Sequence, residues 1–370
     1  MTETFEIFLV ATPGVEQPLL DEVLAAGFTG ARIEAGGISF SGTWDDVWRA
    51  NLILRGATRV LVRIGSFMAF HLAQLDKRAR KFAWGDVLRP DVPVRVEVAT
   101  SKKSKIYHAG AATQRIEKAL TEDHGITISA DATVAIKVRI DDNRVTISVD
   151  TSGESLHKRG HKEAVGKAPI RETLAALMLR ACGYDGEEPV VDPMCGSGTF
   201  LIEAAEIAAG LLPGRSRDFA FMELATFDAG RWSILQRAAQ TQTPQQHFYG
   251  NDRDAGAVRM AADNAARAGV GEWITLTNGN AADMKRPEGP PGLVICNPPY
   301  GARIGNQKML FGVYAGLGDM LRKQFSGWRV GIVTSDPALA QAMKLPFKPK
   351  GPPIPHGGMK VWLFQTDQLS

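Results

Sequence analysis

The chain has 370 residues, 44% hydrophobic and 22% charged, which excludes a disordered chain and leaves room for two or three domains. No apolar run reaches the roughly 18 residues that a membrane-spanning helix needs, and the start, MTETFEIFLVATPG, lacks the charged head, long apolar stretch and cleavage site of a signal peptide. A formal charge of +3 is only mildly basic, and three cysteines (Cys182, Cys195, Cys296) at no metal-ligand spacing exclude a disulfide framework, so a reducing, cytoplasmic compartment without a membrane or metal partner is expected.

FEIFLVAT reads as a strand. GVEQPLLDEVLAAG carries Leu19, Leu20, Val23 and Leu24 at helical spacing and stops at Gly27. ARIEAGGISFSG reads as two short strands around Gly36-Gly37. TWDDVWRANLIL is a helix capped by Thr43, and TRVLVRIGSF is again a strand. The order βαββαβ is ferredoxin-like and predicts a first domain over residues 1–66.

Residues 67–155 form a second α+β unit. It has a helix near LAQLDKRARKFAW, a strand VPVRVEVATS, a helix AGAATQRIEKALTEDHG, and a strand pair around Asp141-Asp142-Asn143 whose apolar residues alternate. A basic loop precedes its second helix, with Lys102, Lys103 and Lys105 beside Tyr107 and His108. SLHKRGHKEAVGKAPIRETLAALMLRACG then opens with His157, Lys158, Arg159, His161 and Lys162 and turns helical after Pro169. The boundary of a third domain, 156–370, falls here. A basic run is often plain solvated surface; two of them, one at the start of the third domain, favour a phosphate-tracking surface.

From residue 189 strands and helices alternate: EPVVDP, HFYGND, WITLTNG, GLVICNPP, WRVGIVTSD and MKVWLFQTD are the strands. This is the α/β pattern of a doubly wound, Rossmann-like sheet. The segment 213–246 is polar, with QTQTPQQ reading as a mobile loop, and PFKPKGPPIPHGG is a loop before the last strand pair, either lining a substrate entrance or simply exposed.

VVDPMCGSGTFLIEAA is a buried strand, a glycine turn and a helix. Such a turn brings backbone close to a ligand. The dinucleotide fingerprint fails, because Gly196-Ser197-Gly198 is followed by Leu201 where a glycine is required. Asp192 ends the strand, where it would crowd a pyrophosphate but suits a positive amine or sulfonium. A lone G-S-G also reads as a plain strand-to-helix turn. The next strand ends at Asp252, an acid placed to accept from both ribose hydroxyls, with Asp254 as a helix cap; the third ends before Asn280 and Asp283. All these tips lie on one edge of the sheet.

DPMCGSGTFLIEAA, GNDRDAGAVRMAADNAARAG and CNPPYG together resemble the class I S-adenosylmethionine-dependent methyltransferases. More closely the chain is similar to the bacterial 23S rRNA guanine-N2 methyltransferase family with an N-terminal THUMP domain, over nearly its whole length. The resemblance implies S-adenosylmethionine as cofactor. Its contacts would come from Asp192, Met194, Gly196, Gly198 and Thr199 at the first tip, Asp252 and Arg253 at the second, Asn280 and Ala281 at the third, and Asn297 at the fourth. The adenine-contacting position, usually Asp, is Asn280, so the bond there loses charge assistance, and Asp283 is an alternative partner.

Two prolines end the fourth strand, since neither can donate to a ladder. The Asn297-Pro298-Pro299-Tyr300 turn fits methylation of an exocyclic amino group, whose lone pair is delocalised into the base. The Asn297 side-chain oxygen and the Pro298 carbonyl can both accept from that group and localise its lone pair, Pro299 keeps the carbonyl aimed, and Tyr300 reads as an exposed ring for stacking. Cys195 and Cys296 read as buried packing residues, because no histidine signature accompanies either. The resemblance further implies that the THUMP unit binds RNA and that the ferredoxin-like unit positions it; the two basic clusters make Lys102, Lys103 and Lys105, with His157, Lys158, Arg159 and Lys162 at the junction, the expected RNA contacts. The RNA is expected to be rRNA, with tRNA as the alternative. Other readings are an adenine-N6 methyltransferase and an RNA-binding assembly factor with an inactive catalytic domain.

Overall fold

The computed structural model describes residues 4–161, 170–301 and 307–370. The chain forms two compact units. One comprises Met1–Val10, Val23–Leu156 and Arg217–Ala238; the other comprises Ala11–Glu22, His157–Ser216 and Ala239–Ser370.

The first run follows the ferredoxin-like order: β1 (Phe5–Val10), α1 (Glu16–Ala25), β2 (Arg32–Glu34), β3 (Gly37–Gly42), α2 (Trp44–Ile53) and β4 (Arg59–Met68). Thr43 and Asp46 form a capping box at the start of α2. There follow α3 (Leu72–Arg80), β5 (Val94–Thr100), α4 (Ala109–His124), β6 (Val134–Asp141) and β7 (Arg144–Asp150). All seven strands belong to one sheet, ordered β2-β3-β1-β4-β7-β6-β5. The ferredoxin-like run and the run after it are therefore joined through β4, which pairs with β1 on one edge and β7 on the other, with a register shift at Arg63/Gly65. Alternation buries Ile7, Leu9, Val60, Val62, Ile136, Val138, Ile147 and Val149 on one face. The other face is a concave surface of about 750 Å³ on which Arg63 pairs with Glu6 at 2.6 Å and Glu34 at 3.2 Å. Asp142 and Asn143 take left-handed φ of 48° and 61°, giving the two-residue hairpin its sequence predicts.

The second unit carries α5 (Glu172–Ala181), β8 (Val190–Asp192) and α6 (Thr199–Ala208). The segment 213–246 is less plain than its polar composition suggests. Residues 217–238, with α7 (Ala229–Arg237), belong to the first unit and bring it an aromatic cluster. Phe219 and Phe221 stack at 5.1 Å, Trp232 stands edge-on to Phe221 at 5.1 Å, and Trp48 lies 6.1 Å from Phe221.

The second unit continues with β9 (Phe248–Asp252), α8 (Ala255–Ala268), β10 (Ile274–Asn278), β11 (Leu293–Cys296), α9 (Gln307–Gln324), β12 (Arg329–Thr334), α10 (Pro337–Ala342), β13 (Ile354–His356) and β14 (Met359–Gln365). Its sheet runs β10-β9-β8-β11-β12-β14-β13. β8 to β12 are parallel and β14 is antiparallel to β12. The chain steps outward from β8 to β10, then returns to lay β11 against β8. That reversal is a switch point, where open α/β sheets form their ligand crevice. β13 is a strand within the loop read as PFKPKGPPIPHGG; it pairs with β14 through Gly357 and Gly358, at φ 56° and 79°. Among the described residues no helix is long and apolar enough to cross a membrane.

Candidate active site

Val190 and Val191 are fully buried between β9 and β11, so β8 delivers Asp192 to the sheet's edge at 2% exposure. The following turn needs left-handed backbone twice, at Gly196 (φ 53°) and Gly198 (φ 82°). A Cβ on Gly198 would press to 3.1 Å from Ala261 of α8, whereas one on Gly196 would meet nothing within 4 Å. Gly196 thus faces open space. Asp192 Oδ1 accepts from Met194 N at 3.1 Å. Burial is the main reason its carboxyl is pushed up to about 7; the nearby Asp252 charge pushes the same way, while the Met194 N–H and the Cys296 thiol oppose it.

Asp252 ends β9. Its Oδ2 accepts from Gly196 N at 3.0 Å and its Oδ1 from Asp254 N at 2.9 Å, so the second tip is bonded to the glycine turn of the first. Asp254 caps α8 by accepting from Gly256 N at 2.7 Å, as expected. Met194 is half-buried, Thr199 is buried at the first position of α6, and Arg253 is exposed. At the third tip Asn280 caps a short 3-10 turn, Ala281–Asp283, accepting weakly from Ala282 N at 3.4 Å. Ala281 is buried under it, while Asn280 and Asp283 both stand exposed.

β11 is buried throughout, and Asn297 follows at its tip. The Asn297 Oδ1 is buried and accepts no hydrogen bond among the described residues. Leaving such an acceptor unpaired costs about 1–3 kcal/mol. Tyr300 corrects an expectation: its ring is only 2% exposed, not presented to solvent. On α9, burial raises the Tyr314 phenol above its ordinary range, with Thr334 opposing and Cys296 and Tyr300 adding to the rise. Cys296 also does more than pack: at the end of β11 it lies close enough to Asp192 at the end of β8 that the two groups shift each other's ionisation. Burial, reinforced by Asp192, raises the Cys195 and Cys296 thiols, which keeps both protonated.

The basic residues divide. Lys102, Lys103 and Lys105 are exposed in the first unit. Sequence reasoning missed Phe70, which is 41% exposed with the Lys105 ammonium 5.5 Å from its ring centroid; Tyr107 nearby in the chain is 76% exposed. In the second unit Lys158 is exposed and His157 half-buried. Arg159 is a correction. It is 2% exposed and donates to both oxygens of Glu203 on α6, at 3.0 and 3.4 Å. A guanidinium buried against a carboxylate inside the fold is not on the surface that a phosphate would meet. Lys162 lies outside the described residues.

A parallel sheet with a glycine turn and acid at its first tip, a second acid at the neighbouring tip, and an N-P-P-Y turn across the switch point defines a Rossmann-like methyltransferase domain. Residues 159–349 match the RMKL-like methyltransferase domain, and residues 6–61 match the RlmL ferredoxin-like domain. The chain belongs to the RMKL-like methyltransferase family. It is 33% identical over 351 residues to the ribosomal RNA large subunit methyltransferase K/L of Aliivibrio salmonicida, covering 91% of this chain and 50% of that protein. The chain thus spans about half the length of such relatives. It is 30% identical over 371 residues to a putative RNA methyltransferase, slr0064, of Synechocystis, covering 97% of this chain and 96% of the other. Among solved structures, SMU.472, a putative methyltransferase complexed with SAH, matches with a TM-score of 0.89 at 28% identity over 100% of both chains.

Proposed function

We propose that the chain is a cytoplasmic, S-adenosylmethionine-dependent RNA methyltransferase that modifies an exocyclic base amine, guanine N2 of 23S ribosomal RNA. The observation that carries this reading is the buried, unpaired Oδ1 of Asn297, set across the switch point from the acid that ends β8. A fold keeps such an acceptor where a ligand's donor will satisfy it. The names of the K/L relatives supply the RNA, and the SAH bound to SMU.472 supplies the cofactor class.

The residues present fit that cofactor. The buried Asp192 carboxyl suits a cationic methionine end, which would restore its charge. Asp252 keeps lone pairs for ribose hydroxyls beyond the two backbone donors it already accepts. S-adenosylmethionine would supply a methyl group activated by a positively charged sulfur. Asn297 Oδ1 and the Pro298 carbonyl would accept from the base amine, localising its lone pair and stabilising the positive charge that develops there. A base enters such a pocket only unstacked, so the target is flipped or already unpaired.

We assign RNA capture to residues 67–155 as a THUMP unit behind the ferredoxin-like domain at 1–66, with the catalytic domain at 156–370. Exposed Lys102, Lys103 and Lys105 with Tyr107 and Phe70 offer charge for phosphates and rings for bases. Lys158, exposed in the second unit, offers one further cation to a phosphate. Nucleoside mass spectrometry on 23S fragments from cells with and without the gene tests the reading. One N2-methylguanosine should vanish from 23S rRNA without the gene. An unchanged 23S profile with a loss in tRNA would move the substrate to tRNA, and no loss in either contradicts the proposal.

A further inference from the structure

We propose that Asn251 and Asn264, two buried amides outside the set of cofactor contacts, are positioning residues that hold the turn 193–198 in its ligand-receiving shape. The inference rests on the cofactor reading above and names what makes that site competent.

Asn251 is 3% exposed on β9, one residue before Asp252. Its Nδ2 donates to Pro193 O at 3.2 Å and to Gly279 O at 3.0 Å, and its Oδ1 accepts from the Thr277 hydroxyl at 3.0 Å. Its own main-chain carbonyl accepts from Cys195 N at 2.9 Å. One side chain therefore bonds the loops after β8 and β10 to β9 between them. Asn264 is fully buried on α8. Its Nδ2 donates to Ser197 O at 3.1 Å, and its Oδ1 accepts from Arg267 at 2.5 Å; Arg267 in turn donates to His161 O at 3.0 Å.

The turn thus hangs between two amides. Asn251 takes its first carbonyl and Asn264 takes the one before Gly198. What remains free is the open side at Gly196. Both sites require an amide. Each uses an N–H donor and an oxygen acceptor at once, and a carboxylate would face a carbonyl where a donor now stands. A turn with two left-handed glycines has many alternatives open to it, and fixing it beforehand removes an ordering cost from ligand binding. Removing a clamp should therefore weaken cofactor affinity and spare turnover once cofactor is saturating.

Thr277 allows a test that leaves the core intact. It is exposed on the edge strand β10, and its hydroxyl, 3.0 Å from Asn251 Oδ1 and 3.3 Å from Gly250 O, adds to the two carbonyls that set which way the Asn251 amide points. The experiment is SAH titration calorimetry on the full chain, with RNA methylation at saturating S-adenosylmethionine. Asn251→Ser should raise the SAH Kd by about tenfold or more and leave kcat within about threefold of wild type. Thr277→Val should raise Kd by roughly threefold, and Thr277→Ser should restore it. If wild type binds SAH and both Asn251→Ser and Thr277→Val bind it equally well, the clamp is wrong. If Asn251→Ser merely unfolds while Thr277→Val binds normally, the amide is structural and the proposal is also overturned. If wild type itself binds no SAH, the cofactor reading fails first and takes the clamp with it.

Discussion

Burial lifts the Asp192 carboxyl to about 7, so its charge is only part-formed at neutral pH. In the unfolded chain it would ionise near the ordinary carboxylate value of about 4. Between these values the folded state holds a proton that the unfolded state has released, so stability falls as pH rises through that window and the loss is complete above about 7. Asp192→Asn has no such proton. Its melting temperature should exceed that of wild type at pH 8, and the gap should close as pH falls towards about 4, while SAH affinity drops most at pH 8, where the wild-type carboxyl is charged. Thermal melts across that range check this, and a gap independent of pH contradicts it. Asp192, Asp252 and Asn297 were legible in the sequence because each stands where an apolar run breaks off at a strand end. Asn251 and Asn264 were not, since a buried amide is recognisable only once its partners are known; Asn264 meets Ser197 across 67 residues. Arg159 was misread for the same reason. A basic run looks like surface until Glu203, 44 residues away, is found against it.

The loop 101–108 shows how an element rather than a residue makes a binding surface. Ser104 is buried; it donates to Ile140 O at 3.2 Å and accepts from Asn143 N at 3.2 Å, while Asn143 accepts from Lys105 N at 2.8 Å. The loop is thereby fixed to the β6–β7 hairpin with its lysines outward. Asp141 is held below its usual range by Ser101 first and by Arg139, with Lys103 contributing, so part of the Lys103 charge is balanced locally. Lys102 and Lys105 carry the prediction. Changing both to Glu should weaken RNA binding by about tenfold or more and flatten the slope of log affinity against log salt by roughly two, measured by filter binding from low to moderate salt. An unchanged slope would remove this loop from the RNA surface. Phe70 was not legible beside these lysines because it lies more than thirty residues earlier in the sequence; only the packed structure brings Lys105 over its ring.

At the scale of the whole molecule, the order of elements was readable and their membership was not. βαββαβ followed by a second α+β run and then a parallel α/β run follows from periodicity and turn residues alone. That the first two runs share a sheet does not, because β4 is a single long strand whose two edges take partners far apart in sequence. Nor does the place of residues 217–238, whose aromatic cluster is hidden in a polar stretch. Both surprises concern long-range pairing, which local pattern does not encode.

The central claim is that the Asn297 side-chain oxygen acts on the base amine and not on the fold or the cofactor. Single-turnover methylation of 23S rRNA fragments by Asn297→Ala, with SAH affinity measured on the same sample, tests it most directly. Methyl transfer should fall by about a hundredfold or more, the scale of losing one charge-stabilising group at a reacting centre, while the SAH Kd stays within about threefold of wild type. Wild-type transfer rates, or a Kd that collapses together with the rate, would contradict the account.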